Sequence, residues 1–444
     1  MSSVTGRVYA LAAELGTDIF KEIQTDITGK EMQLDHRLSR DRAMLLHLDQ
    51  YTMAHTMFTH VSKNNSIGNG NSSDLLSRDI HDPEVMEKCN EFQQSLTAIL
   101  DFIWQTGYCR YHKNICKQIK TEDGHDTRAW GVISTIKQYL YKAVPKDRYL
   151  ELWLKMYRNN SVIPNLADTL SNINDNQFMD IVKCRHLWSF KNGLFYGKEE
   201  IPNDDKEKPK QYKCAFYPYE SKNAKTLDPS LTSAKYFDQE FVDCSNVKDW
   251  YDIPTPHMQH ILDFQRFSKA HARWIYILAG RLCYDIDDLE NWQVVPFIKG
   301  IANSGKSTLL NKVFEKFYDE DDVRVMANNT EGTFGLAPFL NRFLIIAPEI
   351  KKDFKLEQAQ FQSMVCADKM SVAIKNQDAV SVKWNIPMIL AGNEMPGWKD
   401  KGGSIMRRVV PLEFTRQVKD VDTRLDRRLE GELPAILQKC VRAY

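Results

Sequence analysis

Eight residues constrain this chain more than any others: Gly300-Ile301-Ala302-Asn303-Ser304-Gly305-Lys306-Ser307. They match G-x-x-x-x-G-K-[ST], the loop that cradles phosphates, in full. The motif carries weight only between a strand and a helix. Here a short apolar run precedes it, with Pro296 at its start. Residues 307–317 follow, with Leu309, Leu310, Val313, Phe314 and Phe317 at helical spacing. In that setting the loop's backbone N–H groups and the helix N-terminus offer partial positive charge to phosphates. Gly300, Asn303, Ser304, Gly305, Lys306, Ser307 and Thr308 are the candidate nucleotide-binding residues. Lys306 would reach the β- and γ-phosphates, and the Ser307 hydroxyl would ligate Mg²⁺. The expected cofactors are therefore ATP and Mg²⁺; a glycine-rich turn with an incidental lysine is the plain alternative.

Between Trp292 and Phe414 short apolar runs alternate with helical stretches, the pattern of a parallel sheet with crossover helices. The expected strands are 297–299, 323–326, 343–347 and 388–391. Two of them end in polar tips, Pro348-Glu349 and Gly392-Asn393-Glu394. Open α/β sheets bind ligands at the carboxyl ends of their strands. Glu349 at such a tip can polarise an attacking water or hold magnesium. The Asn393 amide can contact the γ-phosphate or its water without adding charge. A surface Glu and a turn-forming Asn are the bland alternatives. Gly402-Gly403-Ser404-Ile405-Met406-Arg407-Arg408 then precedes the apolar run to Phe414. A guanidinium set beside a neighbouring subunit's nucleotide can neutralise transition-state charge. Two solvated arginines ahead of a strand would look the same.

These four signals, in this order and spacing, resemble superfamily 3 helicases, the hexameric replicative motors of DNA viruses and plasmids. Within them the chain is most similar to the primase–helicase branch of large nucleocytoplasmic DNA viruses, the poxvirus-type ATPases. Glu331-Gly-Thr-Phe334 and Glu432-Leu-Pro-Ala-Ile-Leu-Gln-Lys439 resemble that branch as well. The likeness covers residues 255–444 well. It touches 185–252 loosely, through Phe190-Lys-Asn-Gly193, and nothing before 150. It implies that Glu349 is the catalytic acid and a metal ligand beside Ser307, and that Asn393 is the sensor. The arginine finger falls on Arg408, with Arg407 as the alternate. Many members have two acids where Pro348-Glu349 offers one.

The resemblance also implies a β-hairpin that projects into the channel of a ring, at residues 368–384. The residues themselves read as two alternating arms around Lys375-Asn-Gln-Asp378. Lys375, with Lys369 in the same stretch, is the candidate contact to DNA phosphates. Asn376 stands where some relatives have a histidine, leaving an electrostatic and salt-sensitive grip. An exposed turn lysine without a ligand is the alternative.

The rest of the chain bounds this reading. At 444 residues about three domains are expected. Lys plus Arg and Asp plus Glu are 59 each. A wholly cationic glove for nucleic acid is thereby excluded, and a local basic channel is not. No run approaches the ~18 apolar residues of a membrane span. The opening Met-Ser-Ser-Val-Thr-Gly-Arg matches no leader or myristoylation pattern. Nine scattered cysteines suit a reducing compartment. The expectation is a soluble intracellular protein of infected-cell cytoplasm, viral factory or nucleus.

Apolar residues recur at helical spacing through 85–105 and 126–144, so the first 150 residues read as mostly helical, with a polar loop at 63–73. Residues 185–252 read as a small β-containing module or connector, with a hairpin turn at Asn192-Gly193. The expected division is a helical region at 1–150, a connector or small α+β module at 151–254 and a helical collar at 255–290. A P-loop, AAA+-like α/β ATPase core follows at 291–418, and helices at 419–444 close the chain. Asp285-Ile-Asp287-Asp288 has the spacing of a two-metal site and reads instead as a solvated helix end. Cys109, His112 and Cys116, with Cys89 upstream, lack the paired geometry of a zinc site. The acidic run at 319–322 reads as a solvated loop. Residues 1–184 show no carboxylate-plus-His set of a primase.

The expected function is an ATP-dependent DNA helicase for viral genome replication. It would be a homohexameric ring translocating on single-stranded or forked DNA, with primase or polymerase partners reached through the N-terminal region. The competing expectations are an ATP-driven duplex packaging or assembly motor and a nucleotide-gated scaffold.

Overall fold

A computed structural model describes residues 96, 99–100, 103, 105–143, 154, 161–173, 178–202, 210–228, 230–330, 335–375, 378–398, 400 and 402–444. The polar stretch at 63–73, Cys89, Glu331 to Phe334 and the expected helices ahead of residue 96 lie outside them. The chain divides into two compact units. One is Met1–Lys117 with Gly131–Ile181, the other Gln118–Trp130 with Val182–Tyr444.

Near the start of the described residues, β1 (Cys109–Tyr111) and β2 (Asn114–Lys120) pair as an antiparallel hairpin, with Cys109 opposite Cys116 as free thiols. β3 (Asp126–Thr135) completes the sheet order β1-β2-β3, and α1 (Ile136–Ala143) and α2 (Val162–Asn172) follow. The helix expected at 126–144 is therefore corrected: its first ten residues are strand. Their β-branched residues Val132, Ile133 and Thr135 outweigh the helical spacing. Upstream, Leu96, Ile99, Leu100, Ile103 and Gln105 are helical. Ile99, Ile103, Ile115, Leu140, Leu166 and Phe178 form the core. Buried Arg110 caps α2 by donating to Leu170 O and Ile173 O, and it pairs with Asp180 at 2.6 Å.

In the second unit a four-stranded sheet comes first: β4 (Lys183–Phe190), β5 (Gly193–Ile201), β6 (Gln211–Pro218) and β7 (Thr232–Tyr236), in the order β6-β5-β4-β7. β4 and β5 turn at Lys191-Asn192, one residue ahead of the expected Asn192-Gly193, and Gly193 opens β5 opposite Phe190. The short helix α3 (Lys222–Thr226) lies between β6 and β7. Helices α4 (Pro256–Phe264) and α5 (Lys269–Arg281) then lead to a second sheet.

That sheet comprises β8 (Val295–Gly300), β9 (Val323–Val325), β10 (Leu344–Ile350), β13 (Met388–Gly392) and β14 (Val409–Phe414), every pair parallel, in the order β14-β8-β13-β10-β9. It is a mixed α/β architecture compatible with a P-loop or Rossmann-like fold. The four expected strands fall on β8, β9, β10 and β13. The helix after the phosphate loop is shorter than expected: α6 spans Lys306–Lys312, and a 3₁₀ turn covers Phe314–Phe317. α7 (Gln358–Val365) and an antiparallel hairpin, β11 (Lys369–Val372) with β12 (Val380–Lys383), stand between β10 and β13. α8 (Leu425–Ala443) ends the chain.

Alternate residues of the parallel strands enter two cores, as their period of two requires. Ile298, Ile346, Ile389, Leu412 and Phe414 join one that also holds α5, α6, α8 and Trp188, Phe190 and Phe195 of the four-stranded sheet. Phe297, Ile345, Met388 and Leu390 join the other, with α7 and the hairpin residues Met370, Val372 and Trp384. The connector, collar and motor segments read from the sequence thus share a core, and the Trp188 indole donates to Phe317 O at 2.9 Å. α8 seats itself on α4: Glu432 accepts from His257 N and Met258 N, at 2.7 and 3.2 Å. Pro434 cannot donate to Glu430 O, its partner one turn back; Gln239 Nε2 does so at 2.8 Å. Among the described residues no helix is long and apolar enough to cross a membrane.

One acidic cluster differs from expectation. Asp322 is fully buried, and it and Asp319 each accept from Lys183 Nζ at 2.7 Å, so the run at 319–322 is an anchor rather than a solvated loop. Asp285, Asp287 and Asp288 lie beyond the end of α5 and pair separately with Arg185, Lys383 and Lys198.

Candidate active site

The crossover leaving β8 heads toward β9, whereas the one leaving neighbouring β13 crosses to β14. This reversal marks the crevice where open sheets bind ligands. Glycine is required on both strands by close approach. A Cβ at Gly300 would lie 2.1 Å from Phe414 O, and one at Gly392 would lie 2.3 Å from Ile350 O.

Beyond Gly300 the loop winds through two left-handed residues, Asn303 at φ 58° and Gly305 at φ 90°. Ser304 turns inward, donating to Ile301 O at 2.9 Å. Gln265, just past α4, donates to Ser304 O at 2.9 Å and also holds Arg416 through both its N–H and its carbonyl. Val418 N donates to Asn303 O at 2.7 Å. One buried amide and one backbone bond therefore clamp the loop between α4 and the segment after β14.

Lys306 is largely buried, and its Nζ donates to Gly300 O, Ile301 O and Asn393 Oδ1 at 2.7, 2.6 and 3.1 Å. Burial pulls its pKa below the ordinary lysine value. A cavity of about 640 Å³ opens beside it, lined by Asn303, Lys306 and Ser307, by Pro348 to Asp353, and by Gly392 to Glu394. Tips of three strands, β8, β13 and β10, thus meet at one cavity. Thr308 is half-buried outside that lining, and Gly300 lines a smaller neighbouring cavity. Glu349 lies inside β10, where the register with β13 shifts between Ala347 and Ile350. Pro348, lacking an N–H, suits that irregularity, and the Glu349 side chain is 80% exposed toward the cavity side of the sheet edge. Ser307 and Glu349 are oxygen donors of the kind a hard divalent cation takes, with Asp353 and Glu394 on the same lining.

The two arginines part company. A 3₁₀ turn, Met406–Arg408, leaves Arg407 exposed and Arg408 buried. The Arg408 guanidinium is spent within the chain, on Cys366 Sγ and Ser404 O. The hairpin forms in the register Lys369↔Lys383 through Val372↔Val380. Met370 and Val372 face the core, while Lys369 and Ser371 face out. Lys375 is exposed at the tip, next to Asn376 and Gln377, which lie outside the described residues. Sequence reasoning missed Lys351 and Lys352 as cavity residues. Their only signal was a Lys-Lys pair two residues past the acid.

A family model described as "Family of unknown function (DUF5906)" matches residues 298–408, the span from β8 to the arginine turn. No curated protein matches the chain. A solved structure described as "The A form apo structure of NrS-1 C terminal region-CTR" is similar at 13% identity and a TM-score of 0.38, covering 78% of this chain and 68% of that one. Another, "The apo structure of NrS-1 C terminal region (305-718)", is similar at 12% identity and a TM-score of 0.37, covering 80% and 70%.

Proposed function

We propose that the second unit hydrolyses ATP and that the chain works as a ring-shaped DNA helicase of viral genome replication. One observation carries the reading: Lys306, Ser307, Glu349 and Asn393, drawn from three strand ends, line a single cavity. Lys306 and the loop amides hold the phosphates. Glu349 orients and polarises the attacking water, and Asn393, already bonded to Lys306, reports on the terminal phosphate. Ser307 and Glu349 would hold Mg²⁺, which would supply positive charge to the phosphates.

The group offered to a neighbouring subunit is Arg407. Arg408, the first choice from the sequence, has its donors engaged at home and holds the turn from beneath. The hairpin favours strand separation over duplex packaging, since a lysine-tipped arm suits a single strand passing through a ring. The deciding measurement is ATP hydrolysis with and without single-stranded DNA, beside Lys306→Ala. DNA-stimulated turnover that vanishes in Lys306→Ala supports the motor. Turnover indifferent to single strands refutes the helicase, and no turnover at any protein concentration refutes the hydrolase.

A further inference from the structure

The loop after β10 brings two lysines, Lys351 and Lys352, to the cavity that Lys306 and Ser307 also line. Its backbone is pinned from two directions. Asn328, just past β9, accepts from Lys351 N at 2.9 Å and from Lys355 N at 3.0 Å, and donates to Asp353 Oδ1 at 2.9 Å. Gly397, past β13, donates its N–H to Lys352 O at 2.8 Å, and a Cβ at 397 would meet that carbonyl. A loop held this way presents its side chains from a fixed base.

The charges on this lining divide unevenly. Lys351 Nζ stands 3.9 Å from Glu349 Oε1, and Asp353 is engaged by Asn328. Lys352 Nζ has no hydrogen bond or ion pair among the described residues. Lys306 comes from the tip of β8 and Lys352 from that of β10, with β13 between them. Two strand spacings separate those tips, about 10 Å. A ligand seated on the phosphate loop must extend toward β10 to meet Lys352, as the terminal phosphate of a triphosphate would and a diphosphate would not.

Resting on the nucleotide reading above, we infer that Lys352 binds the terminal phosphate in its own subunit and sets the cavity's preference for triphosphate over diphosphate. An ammonium suits the task as a compact point charge on a mobile stem. Calorimetric titration of the full chain with ATPγS and with ADP, in Mg²⁺, tests it. Lys352→Ala should weaken ATPγS about tenfold and ADP less than about twofold, and Lys352→Arg should restore most of the preference. Equal losses for both nucleotides, or none for either, overturn the assignment. A wild-type chain that binds neither nucleotide overturns the nucleotide reading itself, a result distinct from a wild type that binds beside a silent Lys352→Ala.

Discussion

Arg408 grips Cys366: its Nε and Nη2 both donate to Sγ, at 3.2 and 3.1 Å. Cys366 caps the end of α7 and lies three residues before the hairpin, whereas Arg408 closes the 3₁₀ turn just ahead of β14. Gln362 on α7 adds a second tie, donating to Ser404 Oγ at 3.0 Å. Asp400 closes the turn by accepting from Ile405 N and Met406 N. The root of the hairpin and the arginine turn are thus joined through α7, and a displacement of either is felt by the other.

This division of labour makes the adjacent arginines separable. Arg408→Ala strands a covered carbonyl and thiol and should cost about 1–3 kcal/mol of stability, read as a lower denaturant midpoint. Arg407→Ala should stay within about 0.5 kcal/mol of wild type. It should still bind nucleotide and yet lose turnover. Full hydrolysis by Arg407→Ala would sink the shared-site reading.

At the hairpin tip Lys375→Ala should keep basal hydrolysis and lose stimulation by single-stranded DNA. The salt dependence of binding gives a sharper readout. Each lost phosphate contact should reduce the slope of log K against log salt by about 0.7. An unchanged slope in fluorescence-anisotropy titrations would remove Lys375 from the DNA path.

Lys439 supplies a pH signature far from the cavity. It is buried, donating to Ile253 O and Thr255 Oγ1 at 2.9 and 3.1 Å, with the Tyr251 and Tyr276 rings 4.6 and 4.5 Å away. Burial outweighs the nearby Cys440, Glu432, Asp252 and Asp249 and pulls its pKa down to about 8. Unfolded, the amine keeps its proton up to about pH 10.4. Between those values the unfolded chain binds more protons, so this group's contribution to stability rises with pH. Below about pH 8 both states are charged and the burial penalty is fully present. Lys235, also pulled to about 8 by burial, acts in the same direction. The melting temperature of wild type should therefore gain on Lys439→Met between about pH 7.5 and about pH 9.5. A constant or shrinking difference would contradict the assignment.

The strands of the parallel sheet were legible because both its faces are covered, which makes each strand an unbroken apolar run ending at a polar tip. The hairpin was legible from its alternation, Met370 and Val372 against Lys369 and Ser371. Periodicity failed at 126–135, where apolar residues fall at helical intervals while Val132 and Ile133 remain about half exposed on a strand. The separate fates of Arg407 and Arg408 were illegible, since a 3₁₀ turn sends neighbours to opposite sides and only Cys366, 42 positions away, marks which is inside. Lys352 escaped notice for a similar reason. Its facing depends on Asn328 and Gly397, which are remote in sequence and adjacent in space.

The core joining Trp188, Phe190 and Phe195 to Ile298, Leu309 and Phe414 has a consequence for modularity. The phosphate-loop sheet is not a cassette that can be lifted from its neighbours. A fragment begun at residue 255 would carry every catalytic candidate and still bare the apolar faces of α5, α6 and α8, inviting self-association, and one begun at 291 would lose α5 as well. Recombination that exchanged the phosphate-loop sheet between proteins would have to carry the four-stranded sheet and Gln118–Trp130 along with it, since they belong to one compact unit.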